Sequence, residues 1–364
     1  MKLADVVGEL NRFAPPAYQE DYDNSGLIVG DPAMEVSGIL LSTDTTEAVV
    51  HEAIGKGANL IVSHHPLIFQ GLKKITGRNY VERTVLLAIR NGIALYAGHT
   101  NFDSIYGGVN HQIAEKLGLT KTSILVPKTG ALKKLVTFVP QSHADVVRMA
   151  IFNAGAGSIG AYDQCSYNVS GRGSFRGGEQ THPFTGSPGK LHFEEEIRIE
   201  TIFPDLYREQ IIQALLEAHP YEEAAYDIYP LENSYPKIGM GLTGYLEKPV
   251  NEETFLKDLK KTFAAGCIRH TPLLGKPVRK VAVCGGSGSM LLPDAIRLKA
   301  DIFISADFKY HQFFNADGRI VIADIGHYES EQFTKEIFYK ILTGKFPKFA
   351  VHFSEINTNP IKYF

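Results

Sequence analysis

Histidines and carboxylates recur at the ends of apolar runs in this chain, which is where α/β sheets present residues to ligands. In NLIVSHHP, at 59–66, His64 and His65 close such a run and Pro66 turns the chain. Neighbouring strand residues point to opposite faces, so tandem histidines do not readily enter one tetrahedral shell, but each can serve one ion of a close pair. In GHTNFDS, at 98–104, His99 and Asp103 sit in a loop after another apolar strand, and a carboxylate there can bridge two cations through its two oxygens. His99 can be a ligand, a residue that orients a ligand, a proton shuttle or a hydrogen-bonded loop histidine. In IADIGHYESEQFTKEIF, His327 stands at a strand–helix junction and Glu331 follows one helical turn later, so both can face one site. Glu329 then faces elsewhere, as a first-turn acid that favours the helix dipole.

Each phrase alone has a plain explanation: a solvated strand end, an Asx turn, or a surface pair spaced i,i+4. Together, His64, His65, Asp103, His327 and Glu331 point to a pair of divalent ions. Mixed imidazole and carboxylate donors suit zinc first, with iron, manganese and cobalt as alternatives, rather than calcium or magnesium. The lack of cysteine ligands argues against a closed structural zinc, so the expected chemistry is hydrolysis by a metal-bound hydroxide.

Two sets of elements must position these residues. GILLSTD at 38–44, NLIVSHHP and IALYAGHT at 93–100 alternate with helical patterns at 46–57 and 80–91, and the same grammar returns in KVAVCGG at 280–286, DIFISAD at 301–307 and IVIADIGH at 320–327. This alternation predicts an α/β fold of two lobes. An offset of 242 aligns Ala53, Ile54, Ala58 and Ser63 with Ala295, Ile296, Ala300 and Ser305, as expected of a duplicated lobe with a site between its copies. Between them the rhythm changes to strand 134–139, helix 143–154, strand 191–203, helix 204–218 and strand 224–230, a ferredoxin-like α+β insert, with the Gly-rich stretch at 169–190 read as a mobile loop. The expected domains are 1–128, 129–236 and 237–364.

With 364 residues, 44% hydrophobic and 21% charged, the chain has the composition of an ordinary globular protein with more than one core. Its net charge of -3 gives no overall attraction to nucleic acid or anionic lipid. The N-terminal stretch places Leu3, Val6, Val7, Leu10 and Phe13 on one helical face instead of forming a secretory apolar core, and no run approaches a membrane span. Three widely spaced cysteines, Cys165, Cys267 and Cys284, suit a reducing cytoplasm. In VAVCGGSGSM, Gly285, Gly286 and Gly288 can form an anion cradle or simply a tight turn. Tyr18, Asp21, Asn24 and Arg269 are read as surface or packing residues that can also line the cleft.

The phrases YDNSGLIVGD, VSHHPLIF, GHTNFDS, HPYEEAAYDIYPL, GGSGS and IADIGHYESE resemble the NGG-interacting factor three family, whose members are often named GTP cyclohydrolase I type 2 homologues. The resemblance spans both lobes, and the middle segment is similar to the PII- or CutA-like insert of longer bacterial members. It implies a dinuclear metal centre whose ligands fall on His64, His65, Asp103, His327 and Glu331, and a ring-shaped homohexamer. It also implies a cyclohydrolase-type reaction on a nucleotide, with His99 as proton carrier. A phosphoesterase using the same hydroxide, and a non-enzymatic metal-dependent regulatory protein, are the alternatives.

Overall fold

The short apolar runs become strands buried on both faces. Ile39–Ser42, Leu60–Ser63 and Ala94–Ala97 pair in parallel, and every one of their residues is buried. The intervening sequences carry helix-start signals that the structure uses: Thr46 and Asn79 accept from the backbone N–H groups of Val49 and Glu82, opening helices Glu47–Gly55 and Tyr80–Arg90. Val49, Val50 and Ala53 from the first helix and Val85 and Ala88 from the second meet Leu40, Ile61 and Leu95 of the strands in one core. Gly26–Val29 adds an antiparallel edge beside Ala94–Ala97.

The second sheet repeats this plan. Val278–Ser287, Ile302–Ala306 and Val321–Asp324 run parallel, and the short strand Arg269–His270 forms an antiparallel edge beside Val321–Asp324. The two sheets therefore share one order, an antiparallel edge followed by three parallel strands. Aligned strands at the 242-residue offset, Leu60–Ser63 and Ile302–Ala306, occupy the same central place.

The computed structural model describes residues 1–364 and divides into two compact units, one of Met1–Pro127 with Pro236–Phe364 and the other of Lys128–Tyr235. The larger unit is not two lobes consecutive in sequence. Thr120–Lys128, expected to complete the first lobe, lies at the edge of the second sheet beside Tyr235–Val250, and Val351–Phe353 from the end of the chain pairs in parallel with Ile39–Ser42 of the first. An open strand edge leaves a row of unpaired N–H and C=O groups, and each exchanged strand covers one. The terminal helices follow the same pattern: Leu3–Phe13, with Leu3, Val6 and Leu10 buried, packs against Thr334–Lys345.

The smaller unit has four antiparallel strands ordered Tyr167–Phe175, His192–Pro204, Leu132–Pro140, Tyr226–Pro230, with helices Ala144–Asn153 and Arg208–Ala218. This is the ferredoxin-like β-α-β-β-α-β plan. Leu135, Val139, Val147, Ile151, Ile199, Phe203, Ile211 and Leu215 are fully buried between sheet and helices. The Gly-rich stretch expected to be a loop begins instead as the edge strand Tyr167–Phe175. Its partner His192–Pro204 supplies the ladder that local composition does not suggest, and pairs with it from Tyr167 to Phe175. No helix of the protein is long and apolar enough to cross a membrane.

Candidate metal centre

The parallel strands of both sheets in the larger unit deliver their C-terminal ends to one place. His64 and His65 follow Leu60–Ser63, His99 follows Ala94–Ala97, and His327 opens the short helix His327–Glu331 after Val321–Asp324. Asp103 lies in a second short helix, Thr100–Ser104, rather than in the loop expected from sequence. One helical turn separates Asp103 from His99 and Glu331 from His327.

Three groups of donors form there. His64, Asp103 and Glu331 make one, His65, His327 and Glu331 a second, and His64, His65 and His99 a third, with the ligand atoms of each group within 4.8 Å of one another. Glu331 Oε1 is 3.5 Å from His64 Nε2, and its Oε2 is 2.9 Å from His65 Nε2 and 3.1 Å from His327 Nε2. Asp103 Oδ1 lies 3.7 Å from His64 Nε2. The carboxylate common to two groups is therefore Glu331, where the sequence had suggested Asp103 for a bridge.

The imidazoles are held from behind. His64 Nδ1 donates to the Gly98 carbonyl at 2.8 Å, which leaves the Nε2 lone pair facing the cluster. His65 Nδ1 meets Asp44 Oδ1, His327 Nδ1 meets Asp307 Oδ2, and His99 Nδ1 meets Asp23 Oδ1, all at 2.7 Å. The Nε2 atoms of His65 and His327 face each other at 3.2 Å. His64 Nε2 and Asp103 Oδ1 are buried without any hydrogen-bond partner. Groups so placed are costly to leave unpaired, and a set of imidazole and carboxylate donors fits a divalent ion.

The electrostatics carry the same message. Burial alone would lower both histidines, but Glu331 with Asp44 pushes His65 up to about 10, and Glu331 with Asp307 pushes His327 up to about 11. Burial, which outweighs its contact with Glu331, holds His64 below the usual imidazole range. Burial and the Glu331 charge drive Asp103 well above the carboxylate range, and the facing imidazoles hold Glu331 well below it despite burial. The directions of these shifts mark a cluster that a positive charge would satisfy. Such a cluster of His and Glu side chains can bind a metal ion.

Three acids that brace the histidines escaped the sequence reading: Asp23, Asp44 and Asp307. The signal was present for two of them, since STD and SAD end strands of the two sheets and place an aspartate at each C-terminal edge. Asp23 also accepts from the Thr100 N–H at 3.0 Å and from the Ser25 hydroxyl at 2.8 Å. Nearby, Asn24 donates to the Ile68 carbonyl at 2.6 Å and Arg269 pairs with Asp324. It is Glu20 and Tyr22 that line the cleft, a cavity of about 230 Å³ bounded also by His99, Cys284, Met290 and Glu331.

The GGSGS turn does not leave a free anion cradle at its first two glycines. Gly285 N–H donates to Asn110 Oδ1 and Gly286 N–H to Ser330 Oγ, both at 2.9 Å. Glycine is needed for another reason: Gly286 has φ +59°, and a Cβ there would collide with the Glu331 carboxylate.

Residues 1–360 match the profile of a family described as Duf34/NIF3 (NGG1p interacting factor 3). A Halalkalibacterium halodurans protein named GTP cyclohydrolase 1 type 2 homolog is 39% identical over 100% of both chains. A Bacillus subtilis protein of the same name is 36% identical over 98% of this chain and 97% of its own. The crystal structure of a Bacillus cereus protein related to NIF3 superposes with a TM-score of 0.86 at 36% identity, covering 100% of this chain and 99% of that one.

Proposed function

Because the chain belongs to the Duf34/NIF3 family, among relatives named GTP cyclohydrolase 1 type 2 homolog, we propose that it is a hydrolase working with two divalent ions. The observation that carries this reading is the pair of donor groups sharing Glu331. His64 and Asp103 with Glu331 hold one ion, and His65 and His327 with Glu331 hold the other, zinc being the first choice and iron, manganese or cobalt the alternatives. When bound, such ions lower the pKa of water and polarise the bond to be cleaved.

The chain's own residues do the rest. Asp23 fixes the His99 ring through Nδ1, so His99 Nε2 is the atom that takes or gives a proton at the cavity wall. Tyr22, Met290 and Leu291 narrow the cavity and limit water. No lysine or arginine lines it, and the Gly285 and Gly286 amides are taken, so the substrate's reacting group enters while its anionic portions stay at the mouth. A nucleotide base attached to an exposed phosphate chain meets that requirement.

The unpaired cysteines support a reducing cytoplasm as the site of action. The exposed Tyr310 and Phe314 support self-association, and a homohexamer is the assembly that the family resemblance implies. The test is incubation of ion-loaded protein with GTP, other nucleotides and phosphoesters in oxygen-18 water, with Asp103→Ala as control. Turnover with solvent label in the product, lost in the variant, supports the reading. Full ion content without turnover across the panel replaces it with a metal-dependent binding role.

A further inference from the structure

The smaller unit holds a second cavity, of about 440 Å³, within the size range of small-molecule sites. Phe138, Phe175, Phe184 and Tyr221 line it, with the Glu196 carboxylate among them. The Tyr221 ring lies 5.9 Å from Phe175 and 6.3 Å from Phe184, both tilted rather than stacked, so aromatic faces surround the space from different sides. Tyr221 belongs to the phrase HPYEE, which plays no part in the metal centre.

Glu196 is only 9% exposed. Its Oε1 accepts from the Tyr221 hydroxyl at 2.9 Å. The backbone makes room for it, because a Cβ on Gly173 would collide with the carboxylate. His219 fixes the loop: one ring nitrogen bonds the Phe138 carbonyl at 3.0 Å and the other accepts the Tyr221 N–H at 3.1 Å. Burial and the neighbouring Glu196 raise the Tyr221 phenol, so it stays a donor. A largely buried carboxylate on a cavity wall favours a cation or a donor in that cavity.

We propose that this cavity binds a small organic ammonium ion, its charged head between the Phe175, Phe184 and Tyr221 rings and against the Glu196 carboxylate. Aromatic faces attract cations through the ring quadrupole, and quaternary ammonium groups are held this way in aromatic cages. The charge balance agrees, with Glu196, Glu222 and Glu223 on the wall against the single cation Arg176. Glu222 also anchors the covering loop by accepting from the His182 N–H at 3.0 Å. The site lies wholly within Lys128–Tyr235 and does not depend on the hydrolase reading.

The test is calorimetric titration of the full chain with choline and with 3,3-dimethylbutan-1-ol, which has the same shape without the charge. Choline is expected to bind one site per chain, at least tenfold tighter than the neutral alcohol. Glu196→Gln is expected to weaken choline at least tenfold, and Phe184→Leu, a change at a half-exposed position, several-fold, with ion content unchanged in both. Phosphatidylcholine vesicles separate the sources, since co-sedimentation lost in Phe184→Leu assigns a lipid headgroup and no co-sedimentation assigns a free cation. Equal binding of alcohol and choline, no choline binding, or full affinity in a folded Glu196→Gln variant overturns the proposal. If Glu196→Gln does not fold, the choline–alcohol comparison and Phe184→Leu decide.

Discussion

His65 and Glu331 are 266 residues apart in the chain, and their Nε2 and Oε2 atoms are 2.9 Å apart in the fold. They come from different sheets, so the contact exists only when both sheets are formed and joined. Because Glu331 also reaches His64 and His327, it stands in two of the three donor groups while Asp103 stands in one. Elemental analysis after reconstitution should therefore find about one ion in Asp103→Ala and about one in His327→Ala, but little or none in Glu331→Gln. Two ions retained in Glu331→Gln would remove the shared-carboxylate arrangement.

Asp44 and Asp307 touch no candidate ion but each sets one imidazole, at 2.7 Å from His65 and His327. Replacing either by Asn should cost roughly 10–100-fold in affinity for the ion on that histidine while leaving the other ion in place. Competition with a chromophoric chelator, read alongside a thermal melt, measures this. Loss of both ions together, or an unchanged affinity, would show that these aspartates do not set the rings.

The insert is expected to be dispensable for the metal centre. Every donor lies in Met1–Pro127 or Pro236–Phe364. Joining residue 128 to residue 237 through a short Gly-Ser linker should give a folded protein with the same ion content as the full chain. A folded deletion that no longer takes up ions would place part of the site in 129–236.

His219 gives the insert a defined acid sensitivity. Burial lowers its pKa below 6.5, so the unfolded chain binds its proton more readily than the folded one. Its contribution to stability is then full above about pH 6.5 and is lost as pH falls from there through the lower folded-state value. Circular-dichroism melts between about pH 4.5 and pH 7.5 should show wild type losing stability toward acid more steeply than His219→Gln. Identical slopes would mean that this histidine's proton is not linked to folding.

The chain by itself marked the buried central strands of both sheets and the histidines and acids that follow them. Runs such as LIVS and IFIS are apolar throughout because their strands are buried on both faces, and buried parallel strands read that way wherever they end up. The placement of His64, His65, His99 and His327 after such runs was equally legible, since a strand end is a local feature. Tertiary structure decided what no local pattern encodes. Thr120–Lys128 and Val351–Phe353 pair with the sheet of the other half, because an unpaired edge attracts whichever strand the connections bring to it. Tyr167–Phe175, rich in glycine, is a strand only because His192–Pro204 pairs along its whole length. The choice of Glu331 over Asp103 as the shared carboxylate, and of Asp23, Asp44 and Asp307 as braces, rests on distances of a few ångströms between residues 20 to 266 positions apart, which spacing in the sequence does not carry.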